Sequence, residues 1–294
     1  MIDTGLKGKV TLITGANHGV GAAAAKVFAR EGAKVFITFL RLSPEEYGGI
    51  SSEKTENPNE TGRAYYYKNL TRDADEVVSS IRDSGGICYA MEADLSDPAV
   101  MPELFRKAEE ELGSVDILVN NAAHDQPDTF IPEEELKKDP LFAGEYPMST
   151  ITAVTHDKHF AVNSRAVALM TAEYTRRYIG RKAKWGRIIN ISTDGAAGHA
   201  SNTSYGASKY AAESYTRAAA HELGPYGITV NVISPGAIQT GWMTPRLEKQ
   251  IASVYPMRRI GQPEDIADAV IFFASKQADW ITGQVLQVGG GNKM

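Results

Sequence analysis

What most constrains this chain is a rhythm: short β-rich runs alternate with longer helical stretches from one end to the other. The runs are KVTLITG from Lys9, KVFITF from Lys34, ICYAMEADL from Ile87, VDILVNNA from Val115, GRIINIS from Gly186, TVNVISPG from Thr229 and QVLQVGG from Gln284. Helical apolar spacing occupies about 19–31, 73–84, 98–112, 155–180, 205–224 and 263–275. Most of the runs are almost continuously apolar, as a strand must be when both its faces are covered. Strand, crossover helix and next strand pack back on one another in a single hand. The alternation therefore predicts an α/β fold, a doubly wound parallel sheet of about seven strands with helices on both faces. No linker or shift in composition divides the chain, so residues 1–294 read as one domain.

Two segments interrupt the rhythm. Residues 41–69 are polar and contain Tyr65, Tyr66 and Tyr67; residues 124–152 carry Pro127, Pro132, Pro140 and Pro147. Insertions of this length in a compact domain are disordered or functional. Both follow strands, so both should emerge at the carboxyl edge of the sheet, where ligands bind in this architecture. The first reads equally as a disordered excursion or a functional element, with one or two tyrosines packing. The second reads as a cover over substrate.

Charge and composition exclude several classes. The net charge is −5, and no basic block stands out beyond Arg176-Arg177 and Arg181-Lys182, which argues against nucleic-acid or anionic-membrane partners. A single cysteine, Cys88, permits no internal disulfide and fits a reducing compartment. The first residues show no secretory pattern, and no stretch of ~20 apolar residues appears. The expectation is a cytoplasmic protein. His156 and His159 lack a third ligand and read as helix surface, so no metal is expected. Serines near His199 lack the Gly-x-Ser-x-Gly elbow of a nucleophile.

Two motifs carry chemistry. In TLITGANHGVGAAAAKVFAREG, Gly15, Gly19 and Gly21 lie between an apolar strand and an alanine-rich helix. Such a turn lets backbone approach a pyrophosphate, while the helix N-terminus aims unpaired N–H groups at it. In TSYGASKYAAE, Tyr205 and Lys209 stand four residues apart, on one face of a helix. A cation beside a phenol lowers its pKa from near 10 and makes it a usable acid near neutrality.

The spacing Thr14-Gly15-x-x-x-Gly19-x-Gly21 resembles the short-chain dehydrogenase/reductase family, and the likeness extends downstream. NNAA at Asn120–Ala123 resembles the family's Asn-Asn-Ala-Gly, Asp94 in ADLSD its adenine-side aspartate, and Asn163 its helix asparagine. YGASK matches the catalytic Tyr-x-x-x-Lys, and PGAIQT (Pro235, Gly236, Ile238, Thr240) the segment beside the nicotinamide. The resemblance implies a Rossmann-type fold binding NAD(P) through Gly15, Asn17, His18, Gly19, Val20, Gly21, Phe39, Arg41, Asp94, Leu95, Asn121, Ala122, Ala123, Lys209, Pro235, Gly236, Ile238 and Thr240. It implies that Tyr205 donates a proton to a carbonyl oxygen as hydride arrives, that Lys209 supports it and holds the nicotinamide ribose, and that Asn163 completes a proton relay. The third catalytic group is open. Counting back the family's usual thirteen residues from Tyr205 reaches Ser192, whereas aligning the strand end NIST reaches Thr193. Strand register is harder to change than loop length, which favours Thr193.

The second strand ends in Phe39, with Arg41 two residues on and His18 in the turn. Where an acid would bind ribose hydroxyls and repel a 2′-phosphate, none is present, so NADP(H) is expected over NAD(H). IGQPEDIADAVIFFAS and WITGQVLQVGGG look most like 3-oxoacyl-(acyl-carrier-protein) reductases. The expected substrate is a small carbonyl or alcohol, an acyl thioester included; an enoyl reductase and a non-catalytic NADP-binding sensor are the alternatives. Specificity is expected in 124–152 and 241–260, with Trp242 and Met243 in a mobile segment. The resemblance also implies a homodimer or homotetramer through 155–180 and 205–224, involving Ala161, Val162, Ala166 and Met170.

Overall fold

Each of the seven apolar runs forms a strand of one parallel sheet. The structure is a computed structural model that describes residues 3–43, 60–136 and 148–293. In chain order it comprises β1 (Val10–Ile13), α1 (Gly19–Arg30), β2 (Lys34–Phe39), α2 (Arg63–Leu70), α3 (Asp75–Asp83), β3 (Ile87–Glu92) and α4 (Val100–Leu112). There follow β4 (Ile117–Asn120), β5 (Asp128–Thr129), α5 (Glu133–Leu136), β6 (Ser149–Thr150), α6 (Ala153–Phe160), a π-helical turn (Ala161–Ala166) and α7 (Val167–Gly180). The chain ends with β7 (Gly186–Ile191), α8 (Thr203–Leu223), β8 (Ile228–Pro235), α9 (Pro245–Val254), α10 (Pro263–Ala274) and β9 (Val285–Val288).

The strand order is β3-β2-β1-β4-β7-β8-β9. It reverses direction between β1 and β4, and such a switch point opens a crevice at the carboxyl ends of the strands. One face of the sheet is covered by α1 and α10, through Ala22–Ala25, Phe28, Ile266, Val270 and Phe273. The run of alanines costs no side-chain entropy and lets α1 lie close to its neighbours. The other face is covered by α4, α7 and α8, through Leu104, Phe105, Met170, Tyr174 and Ala220. The central strands are buried on both faces; β3 and β9, at the edges, expose Ile87 and Leu286.

Several expectations need correction. The helix expected over 155–180 is three elements, with the π-helical turn at Ala161–Ala166 in its middle. Ala166 and Met170, expected at a subunit interface, are buried in this chain's own core, while Leu169, Tyr210 and Tyr215 face outward. Met243 is fully buried and the Trp242 ring N–H donates to the Ile238 carbonyl (3.0 Å), so both residues are anchored. The segment 241–260 is largely α9, whose signal was present in the sequence: Thr244 caps it, accepting from Leu247 N–H, with Pro245 at the first helical position. Of the two insertions, 44–59 and 137–147 lie outside the described residues; the rest form α2, α5 and a two-stranded parallel pair, β5 with β6. Among the described residues no helix is long and apolar enough to cross a membrane, and no three His, Cys, Asp or Glu could hold a metal.

Candidate functional site

At the switch point the end of β4 grips the glycine turn. The Thr14 hydroxyl accepts the backbone N–H of Asn121 and of Ala122, both at 3.0 Å. The Asn121 side-chain amide donates to the carbonyls of Thr14 (3.0 Å) and Gly15 (2.7 Å). Gly15 has φ +64°, and a Cβ there would lie 2.7 Å from the Cα of Ala122. A Cβ on Gly21 would lie 2.4 Å from the Gly15 carbonyl oxygen. Neither position tolerates a side chain. His18 leads into α1 in an extended conformation and lends no side-chain bond to the first-turn N–H groups, and no acid occupies that turn. These donors are left for an anion, so the cradle fits the pyrophosphate of a dinucleotide.

The other expected cofactor residues differ in exposure. Val20 packs against the core, Leu95 is buried, and Ala123 is exposed. Asp94, also exposed, accepts from Ser96 N–H (2.8 Å). Ile238 is buried and pairs with Gly261, and a Cβ on Gly19 would meet the Thr240 methyl at 3.2 Å, so the segment after β8 abuts the turn. Pro235 closes β8, and Gly236 N–H donates to Val288.

The first insertion returns across the same turn. Gly62 N–H donates to the Gly241 carbonyl (2.8 Å), and the Asn17 amide donates to the Arg72 carbonyl (2.9 Å). The ring of Tyr66 meets His18 edge-on. Burial, with the Arg72 charge adding, lowers the His18 pKa to about 4. His18 is therefore neutral at physiological pH and brings no charge to a phosphate. Arg41 is also engaged: its guanidinium and backbone N–H bind Glu92 at the end of β3, with NH2 at 2.6 Å from Oε2. Phe39 sits half-buried beside Glu92 in the β2–β3 ladder.

Tyr205 lies in the first turn of α8 and Lys209 one turn further on. The Lys209 ammonium donates to the Ile191 carbonyl at the end of β7 (2.8 Å) and lies 5.7 Å from the centre of the Tyr205 ring. Burial brings the Lys209 pKa down to about 8, against an opposing pull from Asp125. Burial also pushes the Tyr205 phenol above its ordinary value, and the charges of Asp125 and Asp194 add to that. The expectation that Lys209 and the oxidised nicotinamide ring together draw the phenol down concerns the cofactor-bound state; in the protein alone burial sets the direction. The Tyr205 ring is flanked edge-on by His159 and His199.

The two candidate hydroxyls separate cleanly. Ser192 Oγ donates to Glu213 Oε1 (2.8 Å), a buried carboxylate one turn beyond Lys209 on α8. Thr193, half-buried past the end of β7, accepts among the described residues only a long bond from Gly195 N–H (3.3 Å). Ser192 is thus bonded to the helix, whereas the Thr193 hydroxyl donates to no partner among the described residues.

Asn163, in the π-helical turn, has no solvent exposure. Its amide donates to the His124 carbonyl (2.8 Å) and Ser208 Oγ (3.0 Å), and its carbonyl oxygen accepts from His124 N–H (2.8 Å). The Asn163 side chain thus ties the loop after β4 to α8. A π-helical turn at such a place is common at functional sites, because it shifts backbone carbonyls off the regular ladder. His159, expected on a helix surface, is buried: its Nδ1 donates to Thr155 (2.7 Å) and its Nε2 accepts from Gln126 N–H (3.1 Å). Burial and its neighbours His159 and Lys158 lower the His124 pKa to about 4.

Residues not anticipated from the sequence are Glu92, Arg72, Asp125, Asp128 and Glu213. Glu213 alone had a signal, its i+4 spacing from Lys209. The others act across 50 residues or more.

Comparison with known proteins fits this geometry. Residues 45–293 match a family model described as Enoyl-(Acyl carrier protein) reductase. The chain is 32% identical over 293 residues to 7alpha-hydroxysteroid dehydrogenase of Escherichia coli (strain K12), covering 97% of this chain and 94% of that one. It is 30% identical over 292 residues to the 3-oxoacyl-[acyl-carrier-protein] reductase FabG of Aquifex aeolicus, covering 97% and 98%. A solved blue fluorescent protein from a metagenomic library, in complex with NADPH, is 29% identical with a TM-score of 0.75, covering 98% and 99%.

Proposed function

The chain belongs to the short-chain dehydrogenase/reductase family, and on that premise we propose that it reduces a ketone, a 3-oxoacyl thioester or another, to an alcohol with NADPH. The observation that carries the reading is the pair on α8: Tyr205 in the first turn, and Lys209 buried one turn below, bonded to the end of β7.

The residues that would hold the dinucleotide are the turn from Gly15 to Gly21 for the pyrophosphate, Asn121 to Ala123 and Lys209 for the nicotinamide ribose, and Pro235 to Thr240 beside the ring. NADPH, when bound, supplies the hydride. Everything else falls to the chain. The Tyr205 phenol is protonated near neutral pH, as an ordinary phenol is, and burial shifts it further in that direction; this is the state a proton donor needs. As the proton leaves for the carbonyl oxygen, charge develops on the phenol 5.7 Å, measured at the ring centre, from the Lys209 ammonium, which stabilises it. Thr193 donates to the same carbonyl oxygen and orients it.

The preference for NADPH rests on Phe39 where an acid would stand, and on the NADPH complex of the structural relative. Arg41 supports it only if a phosphate can share that side chain with Glu92. The two named relatives act on unlike substrates, as their names state, so substrate class is carried by neither. Homo-oligomerisation through the outer faces of α7 and α8 is supported by the exposed Leu169, Tyr210 and Tyr215.

The test is cofactor oxidation at 340 nm with NADPH and NADH, for wild type and Tyr205→Phe, across 3-oxoacyl thioesters, cyclic ketones, aldehydes, quinones and an enoyl thioester. Turnover with NADPH that is lost in Tyr205→Phe is expected. Faster turnover with NADH refutes the cofactor preference. Turnover unchanged in Tyr205→Phe refutes the reading itself.

A further inference from the structure

We propose that Asp128 is a positioning residue for the proton donor, and that residues 124–129 mount the catalytic helix; this rests on the reading of Tyr205 given above. α8 starts one residue before Ser204 and two before Tyr205, so the phenol sits among the residues whose N–H groups have no partner within the helix. A helix that must hold a reactive group there needs a firm cap. The sequence supplies none locally: Asn202 makes no side-chain bond to the first turn, and no acid lies in it.

The cap comes from elsewhere. Asp128, the first residue of β5, is fully buried, and its Oδ1 accepts the backbone N–H of Ser204 at 2.8 Å. A carboxylate at this end of a helix also meets the positive end of its dipole. A second tie runs beside it, from the Asn202 amide to Asp125 Oδ1 (2.7 Å). The short strand carrying Asp128 is itself secured. It pairs with β6 in register Asp128↔Ser149 and Thr129↔Thr150, Ile151 N–H donates to Thr129 (2.8 Å), and the Thr150 hydroxyl donates to Ile131 (2.8 Å). Just upstream, Asn163 clamps both backbone groups of His124. Residues 124–129 thus form a braced bracket against which the start of α8 is fixed.

The consequence is local. Further along α8, Lys209 is bonded to Ile191 and Glu213 to Ser192, and neither bond depends on the first turn. The glycine turn is held by Thr14 and Asn121, on other elements. Removing Asp128 therefore frees the phenol while leaving the ammonium and the cofactor cradle in place.

Asp128 Oδ2 has no hydrogen-bond partner among the described residues, so an asparagine keeps the one bond that matters through its carbonyl oxygen. The experiment compares wild type, Asp128→Ala, Asp128→Asn and Tyr205→Phe in steady-state reduction, with thermal melting of each. Asp128→Ala should lose about ten- to a hundredfold in kcat, hold the KM for NADPH within about twofold, and be largely restored in Asp128→Asn. Wild-type kcat in Asp128→Ala, with Tyr205→Phe inactive, overturns the proposal and leaves the catalytic reading standing. A KM for NADPH that rises in step with the loss of kcat also overturns it, because that marks general damage. Full activity in Tyr205→Phe refutes the catalytic reading instead. If Asp128→Ala does not fold, hydrogen exchange at the Ser204 amide of the wild type decides: slow exchange supports the cap, and exchange as fast as an exposed amide overturns it.

Discussion

Exchanging Ser192 and Thr193 for alanine, one at a time, should produce opposite losses. The Ser192 hydroxyl donates to a buried carboxylate, Glu213, at 2.8 Å. A hydrogen bond to a charged group contributes about 1.5–3 kcal/mol, and removing it leaves Glu213 Oε1 buried without that donor. Ser192→Ala should therefore lose about 2 kcal/mol of stability, which in a domain of this size lowers Tm by about 3 °C. Its kcat should change by less than about threefold. Thr193 loses only a long bond from Gly195 N–H, so Thr193→Ala should stay within about 0.5 kcal/mol of wild type. Its kcat should fall about a hundredfold or more, the usual effect of deleting a donor aimed at a developing oxyanion. Thermal melting and initial rates on the same preparations read both quantities. If Ser192→Ala abolishes turnover at unchanged Tm, the assignment of the two hydroxyls is reversed and the reasoning from Glu213 fails.

Two other outcomes follow from the site. Asn163→Ala breaks three hydrogen bonds at once and should lose about 3–5 kcal/mol, seen as a fall of about 5–8 °C in Tm; a change under about 2 °C would show that the clamp on His124 is dispensable. Asp125→Asn removes a negative charge that raises the Tyr205 pKa, while an asparagine can still accept from Asn202. Reduction needs the protonated phenol, so the alkaline limb of the kcat/KM–pH profile should move to lower pH; a shift to higher pH contradicts the sign.

The seven strands, the order of the major helices, the glycine turn and the Tyr205–Lys209 pair were all legible in the sequence. Each is a local signal: apolar runs mark strands covered on both faces, glycines mark a turn, and i+4 spacing puts two side chains on one helix face. The tertiary structure decided everything that depends on a partner distant in sequence. Ser192 and Thr193 are adjacent hydroxyls at one strand end, and only the position of Glu213 on α8 separates them. Arg41 was read as favouring NADP(H), and only the β2–β3 pairing brings Glu92 beside it. Lys209 is visible at i+4 from Tyr205, whereas the burial of the phenol and the charges of Asp125 and Asp194, which raise its pKa in the protein alone, depend on the packed fold. The start of α8 lacks a cap of its own and takes one from Asp128, 76 residues earlier. Local propensity is written within a few residues, but electrostatics and hydrogen bonding act through space, and only the packed chain sets those distances.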